Sequence, residues 1–356
     1  MNRHEFLRSV HRVYRPRNYL EIGVNDGRSL ALSRVPSVAV DPAFRVVTDI
    51  SCDVHLVRAT SDDFFARKDP LLHLRNGRNP FRALARKDPL NVLGADPKLE
   101  LSFIDGMHLF EFALRDFMNV ERHSRWSSVI LLDDMLPRDV DEAARDRHTR
   151  FWTGDVYKVA EVLRRYRPDL LVVEVDTEPT GVVAVFGADP GSTVLKDRYD
   201  EIVEEYVVPD PQQVPDDVLA RKKAVRPETL LGADFWPALG RARNLRRPRS
   251  AFVPLRRSIE AVTGSSPGRG RPRYGSSYRG LHLRGLRAGA AGQERARSSA
   301  SYARHASYEG SRPCSSASAS VGAAASLSES SGGTSAGHSM PSAGSRGLMP
   351  CSRPGE

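Results

Sequence analysis

Three short apolar runs in this chain each end in acids or glycines, and that recurrence limits the folds open to it. Tyr19-Leu-Glu21-Ile-Gly23-Val-Asn25-Asp-Gly27 passes from a strand-like stretch into a glycine-punctuated turn. Leu101-Ser-Phe-Ile-Asp105 ends in a carboxylate, with His108 three residues on. Ser128-Val-Ile-Leu-Leu132 ends in the pair Asp133-Asp134. Strands that deliver polar groups at their carboxyl ends describe an open α/β sheet with a ligand crevice along one edge.

The flanking pattern agrees. Phe6, Leu7, Val10 and Val13 have helical spacing, which predicts a helix over 3–14. Strands are expected at 19–24, 37–40, 54–58, 99–104, 128–132, 170–175 and 181–186. Helices are expected at about 28–34, 61–65, 108–123 and 155–166, the second opening on Ser61 as N-cap. The connector Glu178-Pro-Thr-Gly181 is too short for a crossover helix, so the last two strands should pair antiparallel. The expected fold class is therefore Rossmann-like α/β: a doubly wound, mostly parallel seven-stranded sheet with a final antiparallel strand.

Charge divides the chain in two. From Arg241 onward there are 19 Arg and no Lys against 5 Glu and no Asp, a balance of +14. The whole chain is formally +9, so residues 1–240 carry about −5 and the basic character belongs to the tail. A nucleic-acid partner for the domain is thus disfavoured. The expected organisation is one domain over 1–246, with its core at 6–186, and a disordered Arg/Ser/Ala/Gly-rich tail over 247–356. An ordinary basic tail and a frame-shifted extension both account for that composition. The hexapeptide Ala66-Arg-Lys-Asp-Pro-Leu71 recurs at 85–90, which suggests an insertion over about 67–85 that enlarged a surface loop, with a lid as the lesser alternative. Three cysteines without metal spacing, no signal-peptide core and no membrane-length apolar run point to a cytoplasmic protein.

The site residues follow from the strand ends. Gly23, Asn25 and Gly27 would let the backbone turn tightly around a ligand. Glu21 occupies the first glycine position of a dinucleotide fingerprint, and an acid there suits a cationic, amine-bearing ligand better than a pyrophosphate. Asp41 would accept ribose hydroxyls, or else is a turn aspartate before Pro42. Ser61 and Asp62 would meet an adenine, or else cap a helix. Asp105, Asp133 and Asp134 would repel one another unless a cation such as Mg²⁺ joined them; capping of the following helices is the alternative. His108 lies beside them as a candidate general base, or as a structural histidine. Trp152, Gly154 and Asp155 are placed to shape a substrate pocket.

Residues 6–186 resemble the class I S-adenosylmethionine-dependent methyltransferases, and less specifically so to about Arg243. Tyr19–Gly27 looks like that family's first motif and Val40-Asp41 like its ribose-binding acid. Phe103-Ile-Asp-Gly-Met-His108 with Leu131-Leu-Asp-Asp134 is similar to metal-dependent O-methyltransferases of the catechol and macrolide-sugar types. Phe151-Trp-Thr-Gly-Asp-Val-Tyr-Lys158 resembles a bacterial subgroup of such enzymes. The resemblance implies S-adenosyl-L-methionine as cofactor and Mg²⁺ on Asp105, Asp133 and Asp134. His108 stands where the catechol enzymes carry a lysine base. The activity expected is O-methylation of a hydroxylated small molecule such as a sugar or secondary metabolite. The alternatives are metal-independent methylation with His108 as base, and a binding module whose basic tail contacts nucleic acid. No membrane partner is expected, and homo-oligomerisation is left open.

Overall fold

The computed structural model of the chain describes residues 1–76 and 97–264. Helix α1 (Arg3–Tyr14) starts at a capping box in which Asn2 and Glu5 satisfy each other's backbone N–H groups. There follow β1 (Tyr19–Ile22), β2 (Ser37–Val40), β3 (Val54–Val57), α2 (Ser61–Phe65) and α3 (Leu72–Asn76). Next come β4 (Leu101–Ile104), α4 (Phe110–Arg122), β5 (Val129–Leu132), α5 (Lys158–Tyr166), β6 (Leu171–Val175) and β7 (Val182–Phe186). The described chain closes with α6 (Val194–Asp197), α7 (Tyr199–Tyr206), α8 (Asp216–Leu219), α9 (Pro227–Leu231), α10 (Phe235–Asn244) and α11 (Phe252–Thr263).

The strands form one seven-stranded sheet in the order β3-β2-β1-β4-β5-β7-β6. The first five are parallel, and β7 runs antiparallel to both β5 and β6. This is the doubly wound class read from the sequence, closing hairpin included. The order reverses between β1 and β4, the place where such a sheet opens its crevice.

Side chains alternate between two cores. Ile22, Ile104 and Leu132 pack with Phe110 and Phe117 of α4 and Val159 of α5. Tyr19, Phe103 and Leu131 point the other way, against Phe6 and Val10 of α1, Trp236 of α10 and Phe252 of α11. Burial on both faces is why β1, β4 and β5 read as almost unbroken apolar runs.

The structure departs from the sequence reading in three places. The helix expected at 28–34 is only a 3₁₀ turn at Leu30–Leu32. Little chain lies between Gly27 and Pro36, and a proline disfavours helical backbone in the residue before it. The N-cap of α2 is Thr60, whose side chain accepts from Asp63 N–H, so Ser61 is already helical. The domain also runs past residue 246. Phe252, Leu255 and Ile259 of α11 are buried in the second core, and Trp126 Nε1 donates to Arg247 O at 2.7 Å. Arginine-rich composition hid this helix, although its apolar residues recur at helical spacing. It ends at Gly264, in the left-handed conformation with φ 66°.

The first hexapeptide copy forms the turns after α2, with Leu71 buried in the core. The second copy, residues 77–85 of the expected insertion, and residues 265–356 of the expected tail lie outside the described residues. No described helix is long and apolar enough to cross a membrane.

Candidate active site

The backbone ladder continues one residue beyond four of the five parallel strands. Asp41 N–H donates to Val57 O at 3.1 Å, Gly23 N–H to Val40 O at 2.9 Å, Asp105 N–H to Ile22 O at 2.8 Å and Asp133 N–H to Ile104 O at 2.9 Å. Four of the residues singled out from the sequence thus stand in one row at the sheet's carboxyl edge. Gly23 (φ 85°) touches Asp105 so closely that a Cβ on it would lie 1.7 Å from the Asp105 carbonyl oxygen. The glycine turn and the first acid are in direct contact.

Asp41, 7% exposed, organises that turn. Its Oδ2 accepts from Val24 and Asn25 N–H at 2.8 Å each, and its Oδ1 from Ala43 N–H at 2.6 Å. A carboxylate offers about four acceptor directions, so roughly one remains for a ligand hydroxyl rather than the two the ribose expectation assumed. Asn25 (φ 46°) and Gly27 (φ 81°) carry the left-handed conformations of the turn.

Glu21 does not face the crevice. It is fully buried on the α1 side of β1, where Tyr19 Oη donates to its Oε2 at 2.6 Å and Ser29 Oγ to its Oε1 at 2.8 Å. Strand parity explains this: residues i and i+2 share a face, so Glu21 follows Tyr19 inward. It braces the turn from beneath. Burial outweighs the two hydroxyls and pushes its pKa up to about 8 from an ordinary 4.5. The folded state therefore holds a proton that the unfolded chain releases. The stabilisation from this group is complete below pH 4.5 and is lost as the pH rises towards 8. Glu21→Gln is expected to flatten that decline, measured as urea midpoints across the range; parallel curves for variant and wild type would assign the slope to another group.

Asp105, Asp133 and Asp134 gather around a member the sequence did not reveal. Arg3 Nη1, from α1, lies 2.5 Å from Asp133 Oδ2, 3.4 Å from Asp105 Oδ2 and 3.8 Å from Asp134 Oδ2. His108 Nε2 lies 3.1 Å from Asp105 Oδ1 and 3.2 Å from Asp134 Oδ2. Thr180 Oγ1 donates to the other oxygen of Asp134, whose backbone sits at φ 59°. Asp133 Oδ1 is buried without a hydrogen-bond partner. Burial works against Asp105, yet Arg3 and His108 hold it below the usual carboxylate range. Burial and mutual repulsion keep Asp133 and Asp134 above it.

Capping does not account for these acids. The N-cap of α4, Leu109, makes no side-chain cap bond, and Phe110 N–H is instead taken at 2.8 Å by Asp155 Oδ1. Asp155 also holds Arg145 at 2.7 Å and Lys158 at 3.0 Å, so it joins the starts of α4 and α5.

His108 is held from behind by the Trp152–Asp155 segment. Its Nδ1 lies 2.8 Å from Trp152 O, its ring stacks on the indole at 5.1 Å, and a Cβ on Gly154 would lie 1.6 Å from its carbonyl oxygen. Burial alone would lower its pKa, but Asp134 and Asp105 raise it to about 9. Two carboxylates facing one nitrogen favour the protonated ring.

Ser61 Oγ donates to Asp116 Oδ1, and Asp62 pairs with Arg115 at 3.0 Å, so both lie beside α4. Asp116 was missed from the sequence. It is buried opposite Gly106, and burial, partly offset by Ser61, pushes its pKa up to about 7. Within the cluster, Asp105, His108 and Asp134 each bring a ligand atom within 4.8 Å of the others, a set able to hold a metal.

No known family profile matches the chain, and no curated protein matches it. Solved structures do. A methyltransferase from Podospora anserina, bound to S-adenosylhomocysteine, is 14% identical, with 52% of this chain and 78% of that one covered at a TM-score of 0.34. A putative O-methyltransferase from Klebsiella pneumoniae is 17% identical, with 52% and 80% covered at 0.30. The MycE methyltransferase of the mycinamycin pathway, solved with Mg, S-adenosylhomocysteine and mycinamycin VI, is 12% identical, with 62% and 54% covered at 0.30. Likenesses of this size carry neither ligand nor substrate across to this chain.

Proposed function

We propose that the chain is an S-adenosylmethionine-dependent methyltransferase acting on a hydroxyl group of a small molecule, with a divalent cation at the acid cluster. The observation that carries this reading is the contact between two half-sites. The Gly23–Gly27 turn with Asp41 lies on one side of the sheet's switch point and the Asp105/Asp133/Asp134 cluster on the other, joined where Gly23 meets the Asp105 carbonyl. A methyl donor on the first and an acceptor oxygen on the second would be neighbours, the proximity that group transfer requires.

The donor sets suit both groups. Asp41 keeps an acceptor direction for a ribose hydroxyl, and Ser61, Asp62 and Asp116 flank the place for a base. Asp105 and Asp134 offer oxygens and His108, once deprotonated, a nitrogen, and the partnerless Asp133 Oδ1 belongs to the same acid cluster. When bound, S-adenosylmethionine supplies the methyl group and Mg²⁺ the Lewis acidity that polarises an acceptor oxygen. The residues do the remainder. Asp41 fixes the turn, Trp152 and Gly154 fix the His108 ring, and the carboxylates orient the acceptor hydroxyl and take up its proton. The metal-independent variant with His108 as base is the second reading, and it requires the ring to lose the proton that Asp105 and Asp134 favour.

Calorimetric titration of S-adenosylmethionine into the full chain tests the reading. Micromolar binding is expected, and Asp41→Ala should weaken it by tenfold or more, roughly the 1.4 kcal/mol of one lost hydrogen bond plus a loosened turn. A folded chain that takes up no S-adenosylmethionine would remove the methyltransferase reading.

A further inference from the structure

Arg3 places a single nitrogen within 4 Å of all three carboxylates, where a cation bridging them would sit. It is brought there by main-chain anchors. Arg3 N–H donates to Glu178 O at 3.1 Å and Glu178 N–H to Met1 O at 3.0 Å, so the start of α1 is tied to the β6–β7 turn, two residues from the Thr180 that holds Asp134. The helix itself is fixed by Phe6, Leu7 and Val10 in the core. The Arg3 side chain alone is free to leave, being 32% exposed while Asp133 beneath it is 1% exposed.

We propose that Arg3 is the resident counter-ion of the acid cluster and that a divalent cation binds there only by displacing it, so that the two are alternative occupants of one site. The cation half of this inference rests on the function proposed above. Three buried carboxylates cannot stand together uncompensated, and burial of a charge without a partner is strongly unfavourable. Arg3 supplies a permanent positive charge against all three. A divalent ion bound to Asp105, His108 and Asp134 would need Asp134 Oδ2, the oxygen that faces both His108 Nε2 at 3.2 Å and Arg3 Nη1 at 3.8 Å. Like charges this close exclude each other. The side chain then swings out to solvent while the backbone of α1 stays in place. Metal affinity is thereby lowered by the work of removing Arg3, an opposing interaction taken to be of the order of a usual coupling within one protein, about 5- to 150-fold.

Mn²⁺ titrated calorimetrically into the full-length wild type, Arg3→Ala and Arg3→Lys provides the test. Arg3→Ala is expected to bind Mn²⁺ at least about tenfold tighter than wild type, and Arg3→Lys, which keeps the charge, to stay near wild type. Adding Asp134→Asn to Arg3→Ala should abolish the gain. Equal affinities for wild type and Arg3→Ala would overturn the competition, as would tight binding that ignores Asp134→Asn. S-adenosylmethionine titrated into the same folded samples separates the two ideas. Its binding with unchanged Mn²⁺ affinity sinks only the role of Arg3, whereas failure to bind sinks the methyltransferase reading.

Discussion

Replacing Gly23 with alanine is expected to lower the stability of the chain by on the order of 4 kcal/mol and to abolish ligand binding at the crevice. The residue sits at φ 85°, where an L side chain costs about 1–2 kcal/mol. Its added Cβ would stand 1.7 Å from the Asp105 carbonyl oxygen, a backbone atom with no rotamer to adopt. Relief requires β1 and β4 to separate, which breaks the 2.8 Å bond from Asp105 N–H to Ile22 O and shifts the first acid of the cluster. A lost bond of this kind contributes about another 1–1.5 kcal/mol. Gly191→Ala is the matched control: the nearest atom to its Cβ lies 3.5 Å away, and a change within about 0.5 kcal/mol is expected. Denaturant midpoints measure both. A Gly23→Ala chain as stable as the control would mean that the two strand ends are not locked together.

Asp105→Asn should cut kcat/KM for methyl transfer by about 10²- to 10³-fold, once an accepted hydroxyl compound is in hand. Of the three acids it is the most open, its side chain 16% exposed against 1% for Asp133 and 8% for Asp134. On the proposed reading it is the carboxylate that would meet an acceptor, with the other two more deeply buried. Asparagine keeps the shape and removes the charge, so the fold should survive while Arg3 and His108 lose a partner. The fall should appear mainly in kcat, with S-adenosylmethionine affinity in calorimetry little changed. Wild-type turnover by this variant would take the cluster out of the chemistry.

The strand ends were legible because burial on both faces writes each central strand as an apolar run, and the polar residue after the run marks the edge. Asp41, Gly23, Asp105 and Asp133 were all found this way. Arg3 was not, because it lies some hundred residues from the acids in sequence and reaches them through the packing of α1; only the need for positive charge beside three carboxylates hinted at such a group. The inward direction of Glu21 carried a readable signal in its parity with Tyr19. Helix α11 was obscured by the arginines around Phe252, Leu255 and Ile259. Trp152 and Gly154 stood out in the sequence, but their grip on His108 depends on a backbone carbonyl and a close approach that composition does not encode.

The shared row at the carboxyl edge has a consequence for how this chain can diverge. A residue inserted within β4 would turn Asp105 to the opposite side of the sheet and exchange the places of Phe103 and Ile104. The same holds for β1, β2 and β5, so spacing within these strands is frozen even where side chains can be exchanged. Lengthening is tolerated only where the chain has left the row, as between 42 and 53 or between 136 and 154. Descendants of this sequence can remodel what they accept while the count of residues leading to each acid stays fixed.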